Sequence, residues 1–434
     1  MITVSGMVMG VSPLVAEAFG AGKSARIRQL THQGLWLALL ISIPAMFATG
    51  HLDVWMRHTG QTATTLALAD TYLNIILWSL FPITGFAALR STVAAMSQAR
   101  PILLIIVVGT LFNIVGNYVL GFGRLGLPAM GLAGLAIATV VAWWAMFTAL
   151  LLYVLWHPAF RRYRFFRSVR SVGSRGVGLC RINLRSINLR RINLRVLWQL
   201  LSIGVPIGVF SGLEMGFFMV VTFLAGTLGT EVLAAHQIVF QTIVVVYMVP
   251  LGVSYAATVR VGQWLGRRDL VSLRRAVQIG MVLSTLCMVS ASAAFLLFPK
   301  QIVGLYLDVQ APENAAIVAL ALPLLVVAAI AQILDGFQKA VYGSLQGLQD
   351  TQVPMVLNIL GYWGVGLSVG YVLAFRLGMG SVGLWVGQSV AIAVVAGFFT
   401  WRWQWQYRRL LNRQNTVSQD QASSDQASEC FSAN

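Results

Sequence analysis

Long apolar runs separated by short polar segments dominate the hydrophobic pattern of this chain. A membrane-spanning helix needs about 20 mostly apolar residues, and most of the runs reach that length. They lie at residues 1–19, 34–49, 66–97, 101–122, 129–156, 197–225, 235–262, 276–298, 314–346, 352–375 and 381–401. The pattern predicts an all-α polytopic membrane protein with about eleven transmembrane helices where a symmetric pair of bundles would have twelve.

The second half of the chain repeats the first. Residues 99–122 align with residues 352–375, which pairs Pro101 with Pro354. Two further pairs of segments match in the same order, residues 10–23 with 252–268 and residues 130–139 with 382–391. Because the matches are collinear across several spans, chance similarity between apolar helices is the weaker explanation. The repeat predicts two pseudo-symmetric helix bundles around a central site.

The repeat also predicts that the first bundle is incomplete. Gly10 pairs with Gly252, so the counterpart of Leu197 would fall about 45 residues before Met1. We expect either that upstream residues complete the protein or that it is an eleven-helix variant.

Composition and charge support a membrane protein. Of 434 residues, 58% are hydrophobic and 10% are charged, against about 25% charged in soluble domains. The net charge of +17 could indicate nucleic-acid binding, but no polar domain is present to carry a basic groove. The basic residues cluster in alternate loops and at the C-terminus. By the positive-inside rule we expect these loops and the C-terminus in the cytoplasm and the protein in the plasma (inner) membrane.

Four regions follow from these patterns. They are an incomplete N-terminal transmembrane bundle (1–156), a basic cytoplasmic linker (157–196), a C-terminal bundle (197–413) and a disordered cytoplasmic tail (414–434). The linker is rich in Arg and contains RINLR, SINLR and RINLR. We expect it to lie on anionic membrane lipid, with a nucleic-acid or protein partner as the alternative.

Two acids lie deep inside predicted spans. Glu214 and Asp335 would each cost several kcal/mol in lipid unless they face protein or water, so they are functional-site candidates. Lys339 follows Asp335 at i+4, which leaves open a self-neutralising pair on one helix. Buried carboxylates can exchange H⁺ or bind Na⁺, and we expect one of these as coupling ion at Glu214 and Asp335.

Aromatic and amide side chains near these acids could line a substrate cavity. Aromatic faces attract organic cations, although core packing remains the alternative for any single ring. The candidates are Phe217, Phe218, Gln237, Gln241, Tyr362 and Trp363. His236, which opens a span, is expected at the membrane interface.

No catalytic motif is present. The sequence contains no phosphate-binding glycine loop, no HExxH metal motif and no nucleophile elbow. We therefore expect no enzyme activity, no resident cofactor and no certain metal site.

Several motifs together resemble the multidrug and toxic compound extrusion (MATE) family of the bacterial NorM type. The resemblance extends from about Gly10 to Trp403. It rests on ALRSTVAAMSQARP (88–101), IGVPIGVFSGLEMGFF (203–218), AAHQIVF (234–240), VRVGQWLG (259–266) and DGFQKAVYGSLQGLQDT (335–351).

The resemblance implies two six-helix bundles and export of cationic, lipophilic compounds by alternating access in exchange for Na⁺ or H⁺. It places Glu214 on the seventh helix and Asp335 on the tenth, both in a C-terminal cation site, and we expect a monomer. The family's first-helix aspartate has no counterpart here, and Ala331 stands where relatives often carry a Tyr. These departures leave a Lys339-balanced, proton-type site open. The alternatives are a lipid-linked oligosaccharide flippase of the same superfamily and an inactive truncated homologue.

Overall fold

A computed structural model describes residues 2–51, 63–123, 129–161 and 193–432. These residues are helical and contain no strand. Eleven of their helical segments are long and apolar enough to span a membrane, from Ile2–Gly20 to Gly380–Thr416. The predicted all-α fold with eleven spans is confirmed.

The chain forms two compact units, Met1–Ser211 (unit 1) and Gly212–Asn434 (unit 2). The described residues of unit 1 form eight α-helices and the first part of a ninth. They are α1 (Ile2–Val8), α2 (Val11–Gly20), α3 (Ser24–Gly50), α4 (Ala63–Ile76), α5 (Leu80–Ala95), α6 (Arg100–Phe122), α7 (Gly131–Trp156), α8 (Pro158–Arg161) and α9 (Leu194–Thr227).

Unit 2 contains the rest of α9 and the following helices. They are α10 (Thr230–Arg267), α11 (Leu270–Leu297), α12 (Pro299–Val303), α13 (Ala315–Gly347), α14 (Gln352–Asn358), α15 (Leu367–Tyr371) and α16 (Gly380–Ser432). Two π-helical segments, Ile359–Gly366 and Val372–Arg376, flank α15. Such segments are rare and occur frequently at functional sites.

Left-handed backbone residues mark equivalent turns in the two units. A positive φ occurs at corresponding helix ends, within about one helical turn of the positions that the sequence repeat pairs. The pairs are Gly22 with Arg268, Ser97 with Gln349, Gly123 with Gly378, and Gly131 with Gly380. Because non-glycine residues rarely adopt this conformation, its occurrence at Arg268, Ser97 and Gln349 supports a correspondence between the helix ends of the two units.

Glycines hold α1 against the first part of α9 within unit 1. A Cβ added to Gly204 would lie 1.8 Å from the Met7 carbonyl oxygen, and one added to Gly208 would lie 2.5 Å from the Thr3 carbonyl oxygen. Small residues spaced four apart allow such close approach between membrane helices. Pro206 lies between these glycines, inside α9.

Two of the four predicted regions, the basic linker and the C-terminal tail, compare differently with the structure. The basic linker 157–196 falls largely on residues 162–192, outside the described part of the chain. The tail predicted to be disordered instead continues α16, which runs to Ser432. The sequence beyond Arg402 contains neither Gly nor Pro, so no residue there interrupts the helix that begins in the membrane span.

Candidate functional site

Three charged residues come together inside unit 2. Glu214 lies on α9, while Asp335 and Lys339 lie one turn apart on α13. The ammonium group of Lys339 donates a hydrogen bond to Oε1 of Glu214. Lys339 is only 2% exposed and Glu214 9%. We call Glu214, Asp335 and Lys339 the acidic site.

The structure gives Lys339 a second acidic neighbour. The i+4 spacing left open a self-neutralising pair of Asp335 and Lys339, and these two residues interact electrostatically. Lys339 also forms an ion pair with Glu214 on α9. Asp335 interacts electrostatically with Glu214 as well. One ammonium group therefore serves two carboxylates, and its hydrogen bond to Glu214 joins α13 to α9.

An aromatic ring completes the surroundings of the lysine. The Lys339 ammonium lies 5.1 Å from the ring centroid of Tyr247, which belongs to α10. The negative face of an aromatic ring attracts a cation at this distance. The sequence did not single out Tyr247, because it stands in the continuous apolar run VVVYMVP, which does not show which residues face inward.

Amide side chains surround Asp335 along α13. Gln332 and Gln338, three residues before and after Asp335, are buried. Tyr362 donates a hydrogen bond of 3.2 Å from its hydroxyl to Oε1 of Gln338. Among the described residues, both amide atoms of Gln332 and Nε2 of Gln338 have no hydrogen-bond partner. Buried polar groups of this kind normally bind something, such as water or a ligand.

The predicted aromatic candidates lie partly in this region. Phe217 packs edge-on against Tyr362 with centroids 5.2 Å apart, and both side chains are buried. Trp363 donates from Nε1 to the Leu213 carbonyl oxygen at 3.1 Å, next to Glu214. Tyr362 and Trp363 both belong to the π-helical segment Ile359–Gly366. These rings therefore join the π segment to α9 and α13 by packing and hydrogen bonding.

Phe218 extends this aromatic group. It is half-buried and packs edge-on against Phe217 with centroids 5.9 Å apart, and its other side faces Phe240. Gln237 is half-buried and Gln241 is exposed. A groove of about 470 Å³ between α13 and α16 is lined by residues that include Leu334 and Phe337. None of the predicted cavity residues lines it.

His236, which was expected at the membrane interface, lies inside unit 2, and its level in the membrane stays a prediction. The side chain is 1% exposed. Trp385 donates from Nε1 to Nδ1 of His236 at 3.2 Å, and Nε2 lies 2.9 Å from the Thr222 hydroxyl. Since an indole N–H can only donate, Nδ1 accepts and Nε2 carries the proton. His236 thus links α9, α10 and α16 as a hydrogen-bonded core residue.

The acidic site has a simple charge balance. With Glu214 and Asp335 ionised and Lys339 protonated, its net charge is −1. No group of three or more His, Cys, Asp or Glu side chains among the described residues could hold a metal ion. The arrangement can therefore accept one additional positive charge next to unpartnered amides.

Comparisons with known proteins identify relatives of the whole transmembrane region. The MatE family model matches residues 1–119 and 206–372. A probable multidrug resistance protein NorM from Synechocystis sp. is 46% identical over 93% of this chain and 83% of that protein. One of the same name from Bradyrhizobium diazoefficiens is 37% identical over 94% of this chain and 83% of that protein.

Solved structures share the fold. A crystal structure of a MATE protein in a bent conformation has a TM-score of 0.80 at 17% identity, covering 95% of this chain and 85% of that chain. The eukaryotic MATE transporter AtDTX14 has a TM-score of 0.78 at 21% identity, covering 95% and 87%. At these identities the likeness shows the fold alone. Together with the family match and the NorM relatives, it shows that this chain is a multi-pass membrane protein that belongs to the MATE family.

Proposed function

We propose that this protein exports cationic or lipophilic organic compounds across the inner membrane, in exchange for H⁺ or Na⁺, by alternating access. The basic loops and the C-terminus face the cytoplasm, in accordance with the positive-inside rule. The observation that carries the proposal is the acidic site, where Glu214 and Asp335 lie inside unit 2 with Lys339. The NorM relatives, which are named as probable multidrug resistance proteins, support the class of substrate.

The physical basis is competition for one negative charge. An antiporter must bind ion and substrate in alternation, so that each favours release of the other. A buried carboxylate does this because it is ionised when it holds an organic cation and neutralised when it holds the coupling ion. Phe217, Tyr362 and Trp363 supply apolar and aromatic surface beside that charge, which suits lipophilic cations.

Replacement of Glu214 tests the mechanism most directly. Glu214→Gln keeps the shape of the side chain and removes its charge, so ethidium efflux should fall by about tenfold or more while membrane insertion persists. Efflux is measured in vesicles under separate Na⁺ and pH gradients. Asp335→Asn should have a comparable effect, because Lys339 can balance only one of the two carboxylates, so that either substitution removes the remaining negative charge.

A matched control separates the loss of the Glu214 charge from the general effect of a Glu→Gln substitution. Glu231→Gln makes the same change at an exposed glutamate in the first turn of α10, and it should export ethidium at the wild-type rate. Wild-type efflux by Glu214→Gln at equal protein level would overturn the proposed mechanism.

A further inference from the structure

The two carboxylates of the acidic site already have one cation that belongs to the protein. Lys339 donates to Glu214 Oε1 and lies over the ring of Tyr247. A buried ammonium is tolerated only when it is paired and hydrogen-bonded. At 2% exposure, Lys339 therefore remains charged and stays next to Glu214.

The residues present do not fit a Na⁺ ion at Glu214 while Lys339 is there. A hard monovalent cation at this carboxylate would compete with the ammonium for a negative charge that the ion pair already balances. It would also lie close to a like charge in a poorly screened interior.

We propose that Lys339 is a tethered counter-ion that takes the position of a coupling Na⁺ at Glu214, so that Asp335 alone exchanges a proton for a monovalent organic cation. This inference rests on the proposed antiport function and specifies its coupling ion. In the exchange, Asp335 gains one proton as the organic cation leaves, and it loses that proton when the next cation binds. The site thus alternates between a net charge of −1 in the empty, ionised state and zero in either loaded state.

The surroundings of Asp335 support a single exchanging group. The charged and titratable neighbours that act on it are Glu214 from α9, Lys339 from its own helix, Tyr247 from α10 and Tyr362 from the π segment. Two further helices that pack against α13 add no charge in their membrane-spanning parts. Between residues 276 and 298 α11 has Cys287 as its single titratable residue, and α16 has none between residues 380 and 401.

Unpartnered amides provide a place for the proton carrier. Gln332 and Gln338 lie at i−3 and i+3 from Asp335 and are 4% and 0% exposed. Their unpartnered amide atoms can bind water, and a water needs only a few such polar partners to occupy a buried position. A hydrated face beside Asp335 is what proton delivery to that carboxylate requires.

Thermal unfolding of the purified full chain in detergent tests the inference without transport. Melting temperatures are compared in NaCl and in choline chloride at equal concentration, because an ion that binds only the folded state raises the melting temperature. The wild type and Lys339→Arg should show no difference between the two salts. Lys339→Gln removes the tethered charge, so its melting temperature should be several degrees higher in NaCl than in choline chloride.

Two further variants define the site. Lys300→Gln makes the same change at an exposed lysine and should behave like the wild type. Glu214→Gln/Lys339→Gln removes both charges of the pair, so the Na⁺ stabilisation seen in Lys339→Gln should disappear.

Each result decides for or against the inference. Folding of Lys339→Gln in NaCl but not in choline chloride would support it, because Na⁺ would then replace the missing charge. A higher melting temperature of the wild type in NaCl than in choline chloride would overturn the inference. Equal melting temperatures of Lys339→Gln in the two salts would also overturn it, and so would failure of that variant to fold in both. The ethidium assay reports separately on antiport, so a failure of the proposed function is distinguishable from a failure of this inference.

Discussion

Equivalent helix contacts in the two units are made with different chemistry. In unit 1, the hydroxyls of Ser42 on α3 and Thr84 on α5 lie 2.7 Å apart. Applying the offsets of the left-handed pairs Gly22/Arg268 and Ser97/Gln349, the counterparts in unit 2 are Met288 on α11 and Gly336 on α13. There, Ser284 of α11 donates instead to the carbonyl oxygen of Gly336 at 2.7 Å.

The same offset shows what unit 2 gains. Asp335 and Lys339 on α13 correspond to Ile83 and Ala87 on α5, both buried and apolar. The repeated backbone turns are thus retained, while the charged chemistry occurs on one copy of the helix. The comparison teaches that the repeat determines where helices begin and end, whereas the side chains on each copy decide which unit carries charged groups in its interior.

The largest expected effect comes from breaking the ion pair of unit 2. Lys339→Met leaves Glu214 buried without its partner, so the free energy of unfolding should fall by about 3–5 kcal/mol. Glu214→Gln/Lys339→Met removes both charges and should recover most of that loss. Reversible denaturant unfolding in detergent measures both. Lys300→Met is the exposed control, and a loss in Lys339→Met as small as in Lys300→Met would show that the pair is not buried in solution.

An intermediate effect is expected where unit 2 has a glycine in place of a threonine. A Cβ on Gly336 would lie 2.3 Å from Cγ of Met288, which is 1% exposed. Gly336→Ala should therefore destabilise the protein by about 1–3 kcal/mol through overpacking.

Two companion variants sharpen the measurement. Gly336→Ala/Met288→Ala should lose less unfolding free energy than the two single variants lose together, because the smaller side chain at position 288 makes room for the added methyl group. In unit 1, Thr84→Ala introduces no clash and should lose only the hydroxyl interaction, about 1 kcal/mol. Additive effects in the Gly336 and Met288 double variant would contradict the packing explanation.

The smallest effect concerns the caps of two equivalent helices. Asp269 precedes α11, and its carboxylate accepts from the Ser272 backbone N–H at 2.9 Å. Lys23 precedes α3 and makes no side-chain cap. Lys23→Asp should therefore raise the melting temperature by about 1–2 °C, and Asp269→Ala should lower it slightly at neutral pH.

The cap effect has a defined pH dependence. The hydrogen bonds from Ser272 lower the pKa of Asp269 below its ordinary value of 3.8. The stabilisation is therefore present above that ordinary value and disappears as the pH falls through the lowered pKa in the folded state. Melting curves of Asp269→Ala and the wild type should converge in strong acid. A difference that persists there would exclude the carboxylate cap as its cause.

Much of the candidate site was predictable from single residues. A carboxylate in an apolar run is unusual enough to stand out, which is why Glu214 and Asp335 were identified before the structure. Tyr247 and Gln338 were not, because a tyrosine or glutamine in an apolar run is common and does not show which neighbour it faces. The partners of His236 were not predicted for the same reason. Its position near the start of a span says nothing about Trp385, which lies about 150 residues later.

The sequence by itself determined the spans, the repeat, the family motifs and the two deep acids. These depend on local hydrophobicity and on spacing along one chain. Only the tertiary structure decided that Lys339 pairs with Glu214, 125 residues away. The physical reason is that a buried ammonium needs a carboxylate that it can reach with good hydrogen-bond geometry. That choice depends on how α9 and α13 pack, which spacing along the chain does not specify.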